Sequence, residues 1–340
     1  MSVDYELFDA GDVTLQSGRV FAEMQLAYKT YGRLNAAKDN VILYPTSFGA
    51  QHSDIEWLIG PVLDPERYFI VIPNLFGNGL SSSPSNAPQA FKDGAFPAIS
   101  YYDAVDVQHR LITEHFGVSR IALVYGWSMG GMQAYHWAAR HPAMVARAAI
   151  VCGSARCSPF NHVFLEGVRA ALTADPAFVD GRFVAQPATG LRAMGRVYAG
   201  WAMSHGFYRD ELWRGQGFTS LEDYLARSWD VAFSRRDAND LLAQIAIWQS
   251  GDISRCAQFG GDLAKALAAI TARMLLMPSR TDSYFQVRDN EDELPLLTGA
   301  RAAELAPIPS DYGHRAGNPA AIAADRDFIK TKVAALLAAD

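Results

Sequence analysis

The segment Ile121-Ala122-Leu123-Val124-Tyr125-Gly126-Trp127-Ser128-Met129-Gly130 decides the fold of this 340-residue chain. Its first five residues form an apolar run typical of a buried strand, and residues 131–140 have the composition of a helix. The G-x-S-x-G pattern between them predicts a strand-to-helix turn so tight that side chains at the two glycines would clash. We expect this strained turn to hold the Ser128 hydroxyl above the sheet edge, at the positive end of the helix dipole. Ser128 is therefore the candidate nucleophile for acyl chemistry.

Apolar runs on both sides of this segment alternate with helical patterns. The runs cover residues 40–45, 68–73, 121–125, 146–152, 273–278 and 303–308. Continuous apolar runs of this kind predict a mostly parallel, doubly wound α/β sheet that is covered on both faces. Residues 12–30 alternate in polarity and predict a hairpin, whereas residues 101–116 and 319–337 predict helices.

The pattern changes between residues 155 and 270, where helical stretches follow one another without a clear strand. These stretches cover residues 165–172, 189–204, 220–233, 239–248 and 263–270. The sequence therefore predicts a helical lid at residues 155–270, inserted after the sixth strand. Residues 1–154 and 271–340 are expected to form the sheet-containing core.

Composition limits the classes of function. The chain is 50% hydrophobic and 19% charged, which is typical of a soluble globular enzyme with a substantial core. Its formal net charge of −6 offers no electrostatic basis for binding nucleic acid or an anionic membrane. Residues 1–6 lack the apolar region of a secretory signal, no segment has the apolar length of a membrane span, and the cysteine count of three is odd. We expect a cytoplasmic protein.

The sequence offers two partners for Ser128. A serine hydroxyl becomes a good nucleophile when a base removes its proton, so it requires a histidine and a carboxylate that orients the ring. In α/β-hydrolases these residues follow the serine in the order Asp or Glu, then His, on loops after late strands. Asp282 follows the predicted strand at 273–278, and His314 follows the one at 303–308. Separately they would be explained as a helix cap and a loop residue, but together with Ser128 they predict a catalytic triad.

Acyl chemistry also needs two backbone N–H groups that stabilise the oxyanion. The first is predicted at Met129, directly after the nucleophile, and the second in the loop after the third strand. In that loop, which reads Pro45-Thr46-Ser47-Phe48-Gly49, we favour Ser47, with Phe48 as the alternative.

Other motifs in the chain do not predict a metal or a cofactor. The pair His109 and His115 is spaced wrongly for one helical face, and His136 with His141 lies at a helix end. The glycine-containing loop at residues 77–82 lacks the last glycine of a dinucleotide-binding loop and no helix opens there. We expect neither a bound metal nor a cofactor.

The chain resembles the homoserine O-acetyltransferase family of α/β-hydrolases over nearly its whole length. The similarity is densest at residues 60–74 and 126–134, and it continues through residues 158–161, 169–176 and 310–314. The resemblance implies Ser128 as the acyl-accepting nucleophile, His314 as the base and Asp282 as its orienting partner. It also implies a helical lid that shapes a tunnel to the site, and often a homodimer. In that family, acetyl-CoA acylates the serine and homoserine takes the acetyl group.

The positions that would recognise homoserine depart from the family. Arg315 stands where the family has an aspartate, and residues 201–204 read Trp-Ala-Met-Ser where the family has Thr-Tyr-Arg-Ser. A buried ammonium without an anionic partner is costly, so a homoserine site should keep an anion. We therefore expect a carboxylesterase that transfers the acyl group of a small ester or thioester to water. The alternatives are an acyl-CoA-dependent O-acyltransferase and a non-catalytic hydrolase-like binding protein, which the complete triad disfavours.

Overall fold

The computed structural model describes residues 3–339 and contains a central eight-stranded sheet. Its strands are β1 (Glu6–Thr14), β2 (Val20–Tyr31), β3 (Val41–Leu43), β4 (Phe69–Pro73), β5 (Ile121–Trp127), β6 (Arg147–Val151), β9 (Arg273–Met277) and β10 (Ala302–Leu305). The longer helices are α1 (Tyr101–Arg110), α2 (Met129–Arg140), α3 (Pro159–Thr173), α4 (Ala188–Ala202), α7 (Ala238–Ser250) and α10 (Ala323–Ala338). The shorter helices are α5 (His205–Arg209), α6 (Leu221–Tyr224), α8 (Leu263–Ala268) and α9 (Val287–Glu293).

The strands lie in the order β1-β2-β4-β3-β5-β6-β9-β10. The pairs β1–β2 and β2–β4 are antiparallel, and every other neighbouring pair of this sheet is parallel. In β5, Val124 packs into the core on one face, while Leu123 and Tyr125 pack on the other. Burial on both faces explains why the parallel strands read as continuous apolar runs. The predicted α/β-hydrolase fold, a mostly parallel doubly wound sheet, is confirmed.

The chain between β6 and β9 is mainly helical and contains α3 to α8. The expectation that it contains no strand is wrong at one place, because β7 (Phe178–Val179) and β8 (Arg182–Phe183) form a small antiparallel hairpin. The connecting residues Asp180 and Gly181 have φ values of 49° and 81°, as the Asp-Gly form of a type I′ turn requires. Strands of two residues are too short for periodicity to reveal. In the described part of the chain, none of the helices combines the length and apolar character needed to cross a bilayer.

The parallel strands bring the predicted site residues to one edge of the sheet. Ser128 follows β5, Asp282 follows β9, His314 follows β10 and Ser47 follows β3. Because these strands are parallel, their carboxyl ends lie on the same side, where ligand sites of open α/β sheets form.

A buried carboxyl group secures the point at which the chain leaves the sheet after β6. One oxygen of Glu293, at the end of α9, accepts the Ala155 N–H at 2.7 Å. The other accepts the Tyr135 hydroxyl and the Asn290 amide, each at 2.8 Å. Burial raises the pKa of Glu293 to about 7. The network therefore joins α2, α9 and the start of the helical segment through one titratable group.

The Glu293→Gln variant should have a flatter pH dependence of stability than the wild type. The folded-state pKa lies above the usual carboxyl value of 4.5, so the stability from Glu293 is fully present below that value and is lost as pH rises through about 7. The loss is of the order of 3 kcal/mol. In thermal unfolding experiments, the difference in unfolding free energy between the wild type and the variant should decrease from about pH 5 to about pH 8. A constant advantage would show that Glu293 does not titrate in this range.

Candidate active site

Ser128 occupies the sharp turn between β5 and α2 and is 1% exposed. Its φ of 58° and ψ of −125° lie in a region that costs roughly 1–3 kcal/mol for a residue with a side chain. A Cβ atom at Gly126 would lie 2.0 Å from the Gly130 carbonyl oxygen, and one at Gly130 would lie 2.7 Å from the Pro45 carbonyl oxygen. The glycines of the pentapeptide are therefore required by close backbone approach, as the sequence predicts.

Asp282 and His314 form a buried hydrogen-bonded pair. His314 Nδ1 lies 2.6 Å from Asp282 Oδ2, and the two side chains are 3% and 0% exposed. The other carboxylate oxygen accepts the N–H groups of Tyr284 and Phe285, each at 3.1 Å, which holds the carboxylate in place. With the proton on Nδ1, the other ring nitrogen of His314 is the basic one. Within residues 3–339 that atom, Nε2, is buried and has no hydrogen-bond partner.

Aromatic side chains hold the imidazole ring of His314. The indole of Trp127 stacks on it at 5.0 Å between ring centroids, and Phe285 stacks at 5.6 Å. Tyr284 contacts it in a tilted arrangement at 4.4 Å. Sequence reasoning missed this packing. Trp127 precedes Ser128 and Tyr284 is two residues after Asp282, but nothing in the sequence predicts that their rings face the histidine.

Ser128 and His314 line the same cavity, whose volume is about 320 Å³. The loop residues Ser47 and Phe48 also line it, together with Arg315. Other aromatic walls are provided by Trp57, Trp127, Tyr198, Trp229, Phe233 and Tyr284. The structure thus brings together the predicted nucleophile, the predicted base and the predicted oxyanion loop around a small cavity with several aromatic walls.

The predicted oxyanion donors lie on two adjacent segments. Met129 is the first residue of α2, where a backbone N–H has no acceptor within the helix. In the loop after β3, the Gly49 N–H donates to Gln244 Oε1 at 2.7 Å and the Ala50 N–H donates to the Ser47 carbonyl at 3.1 Å. Two of the loop amides are therefore already engaged, and Ser47 and Phe48 stay the candidates for the second donor.

Cys152, Asp282 and His314 place potential metal-ligand atoms within 4.8 Å of one another. Burial, with the Asp282 carboxylate nearby, holds the pKa of the Cys152 thiol well above its usual range. A metal-binding cysteine must be a thiolate, and Nδ1 of His314 is already engaged with Asp282. The chemistry of these groups suits a hydrogen-bonded Asp–His pair better than a metal site.

The mouth of the cavity carries positive charge. Arg315 is exposed there, with its guanidinium 6.0 Å from the centre of the Trp229 ring. The carboxylate of Asp54 also lines the cavity, but it is paired with Arg235 and, at 2.6 Å, with Arg236. Among the described lining residues, no carboxylate is left to receive an ammonium group. The replacement of the family's aspartate by Arg315 is therefore not compensated by another free carboxylate among these lining residues.

Comparison with known proteins finds relatives that match most of this chain. The model of the α/β-hydrolase fold family matches residues 40–238. An ethyl acetate hydrolase of Pseudomonas veronii is 38% identical, covering 91% of this chain and 89% of its own length. A homoserine O-succinyltransferase of Leptothrix cholodnii is 32% identical, covering 89% and 88%. The solved structure of the acetyl esterase MekB has a TM-score of 0.94 and 36% identity, covering 98% of this chain and 97% of that chain.

The chain belongs to the α/β-hydrolase family. Within it, the chain is a divergent member of the group that resembles the homoserine O-acyltransferases, a group that includes named esterases as well as named acyltransferases.

Proposed function

We propose that this protein is a serine carboxylesterase that hydrolyses small, short-chain esters through an acyl-enzyme on Ser128. The observation that carries the proposal is the buried Asp282–His314 pair, which leaves Nε2 of His314 unpartnered in the cavity that Ser128 lines. The cavity of about 320 Å³ favours a short acyl chain. The relatives named as an ethyl acetate hydrolase and an acetyl esterase support the same substrate class.

In the proposed acylation step, Ser128 Oγ attacks the carbonyl carbon of the ester while His314 Nε2 takes the hydroxyl proton. Asp282 keeps the ring in the required tautomer and stabilises the imidazolium. The oxyanion receives hydrogen bonds from the N–H of Met129 and from that of Ser47, with Phe48 as the alternative second donor. The tetrahedral intermediate then collapses, and the alcohol leaves with the proton from His314.

In the proposed deacylation step, a water molecule occupies the place of the departed alcohol. His314 Nε2 takes a proton from the water, and the oxygen attacks the acyl carbon. The second tetrahedral intermediate collapses with release of the carboxylic acid, and Ser128 Oγ regains its proton from the imidazolium.

The acceptor distinguishes this proposal from its alternative, an acyl-CoA-dependent O-acyltransferase. The observation that favours this alternative is the relative named as a homoserine O-succinyltransferase. The positive mouth of the cavity disfavours it, because Arg315 repels the ammonium of homoserine and Asp54 is already paired with arginines. Water needs no such recognition.

One set of assays separates the two functions. Purified protein is supplied with p-nitrophenyl acetate alone, and separately with acetyl-CoA in the presence and absence of homoserine. We expect ester cleavage without any added acceptor, and no increase in CoA release when homoserine is added. CoA release that depends on homoserine, with little ester cleavage, would support the acyltransferase instead.

We further infer that residues 155–270 act as a lid over a core formed by residues 1–154 and 271–340. The aromatic residues that this segment contributes to the cavity support that division. We also propose that the protein is cytoplasmic and forms a homodimer. The proposed reaction involves no metal, cofactor or nucleic-acid partner. Sedimentation velocity at micromolar concentration would test the dimer.

A further inference from the structure

The peptide groups of Gly49, in the predicted oxyanion loop, are held from both sides by the helical segment. Its N–H donates to Gln244 Oε1 at 2.7 Å, and its carbonyl accepts Arg236 Nε at 2.6 Å. Gln244 lies on α7 and is 0% exposed, and Arg236 lies just before the same helix. Both contacts therefore reach the loop from the same part of the lid segment.

Each of the two holding side chains has a second anchor. The Gln244 amide also donates to the Phe76 carbonyl at 3.4 Å, in the loop after β4. Arg236 also pairs with Asp54 at 2.6 Å, just beyond the oxyanion loop. Two hydrogen-bond or ion-pair partners hold a side chain in one rotamer, so Gln244 and Arg236 can both act as fixed supports.

Packing fixes the neighbouring residue from the same direction. The ring of Phe48 stacks on Tyr198 at 6.0 Å and contacts Phe233 and Trp248 at 5.8 and 5.7 Å between centroids. All three partners belong to the segment between β6 and β9. The lid segment therefore fixes both the side chain of Phe48 and the peptide group that follows it.

These contacts determine where the loop amides point. The Ser47 carbonyl accepts the Ala50 N–H, and Gly49 has a φ of 63°, as expected for the third residue of a type II turn. Since each peptide group is planar, fixing the N–H and the carbonyl of Gly49 fixes the peptide planes on both sides of it. The Ser47 carbonyl belongs to the same peptide group as the Phe48 N–H, so its bond from the Ala50 N–H also restricts the Phe48 amide, and Ser47 is the first residue of this fixed turn.

We propose that Gln244 is a positioning residue for catalysis, and that with Arg236 it aims the second oxyanion donor from the lid segment. The inference rests on the proposed esterase function and adds to it. In this arrangement the helical segment is a structural part of the oxyanion hole as well as its cover. A misdirected donor reduces the stabilisation of the transition state more than that of the bound substrate, so the variant should lose kcat rather than substrate affinity.

The test compares Gln244→Leu with a matched change on the same helix. Gln249 also lies on α7, but its amide bonds Glu166 at 2.6 Å, away from the cavity, so Gln249→Ala is the control. Gln244→Leu should lower kcat for p-nitrophenyl acetate about tenfold to hundredfold with little change in KM. Gln244→Glu keeps an acceptor for the Gly49 N–H and should recover part of the loss. Gln249→Ala should stay within about twofold of the wild type.

Affinity for a boronic acid separates positioning from damaged folding. The boronate mimics the tetrahedral intermediate, so its Ki for Gln244→Leu should rise by the same factor as kcat/KM falls. Rates are measured well below the Tm of each variant and normalised to titrated active sites. If the wild type is active, two results would overturn this inference alone. One is a Gln244→Leu variant as active as the wild type; the other is a less active variant whose affinity for the boronate is unchanged. A wild type without esterase activity would instead remove the proposed function.

Discussion

Replacing Ser128 by alanine should lower kcat for p-nitrophenyl acetate by at least about 10⁴-fold while the protein stays folded. The variant lacks the oxygen that accepts the acyl group, and no other group at the turn between β5 and α2 replaces it. The removed hydroxyl is small, and the backbone contacts of the turn, such as the Ser128 N–H to the Val151 carbonyl at 2.9 Å, are kept. Steady-state kinetics and thermal unfolding measure the two quantities.

The control for this change is Ser119→Ala, which removes an exposed serine hydroxyl just before β5, at the end of that strand opposite to the turn. Its activity should match that of the wild type. If Ser128→Ala kept a tenth or more of the wild-type rate, Ser128 would not be the nucleophile.

Asp282→Asn should be the second most damaging change, with a loss of kcat of about 10⁴-fold. The asparagine amide would place an N–H toward His314 Nδ1, where the carboxylate now lies at 2.6 Å. The ring would then adopt the other tautomer, with its proton on Nε2, and could no longer accept the Ser128 proton. The variant would also lose the charge that stabilises the imidazolium. Stopped assays with a high enzyme concentration can measure the remaining rate.

Asp311→Asn is the matched control for this variant. Asp311 lies on the loop of His314 but pairs with Arg280 at 2.8 Å on the surface. The same chemical change there should alter kcat by no more than about twofold. Equal losses in the two variants would mean that the loop is sensitive to any loss of charge, and Asp282 would have no special role.

The parts of the fold that sequence could predict are those with local signals. The run before Gly126, the glycines of the turn and the later strands all have a pattern that depends on neighbours in sequence. Asp282 and His314 could be selected because each follows a late strand, in the order that the fold demands. The structure places His314 at the cavity that Ser128 lines and hydrogen-bonds Asp282 to its ring, while their catalytic roles stay predictions.

The parts that sequence could not predict depend on contacts between distant segments. Gln244 is 195 residues from Gly49 in sequence, and no periodicity signals that its amide reaches the oxyanion loop. The packing of Trp127 and Phe285 on His314 is also tertiary. The hairpin of β7 and β8 was missed for a different reason, since two-residue strands have no period.

The most direct test of the central claim is to locate the acyl group during turnover. Wild-type protein is mixed with p-nitrophenyl acetate, quenched in acid within the first turnovers, digested and mapped by mass spectrometry. We predict an acetyl group on the peptide that contains Ser128, formed together with a burst of p-nitrophenol and absent from the Ser128→Ala variant. Turnover with no acetylated peptide, or with the acetyl group on another residue, would contradict the acyl-enzyme mechanism.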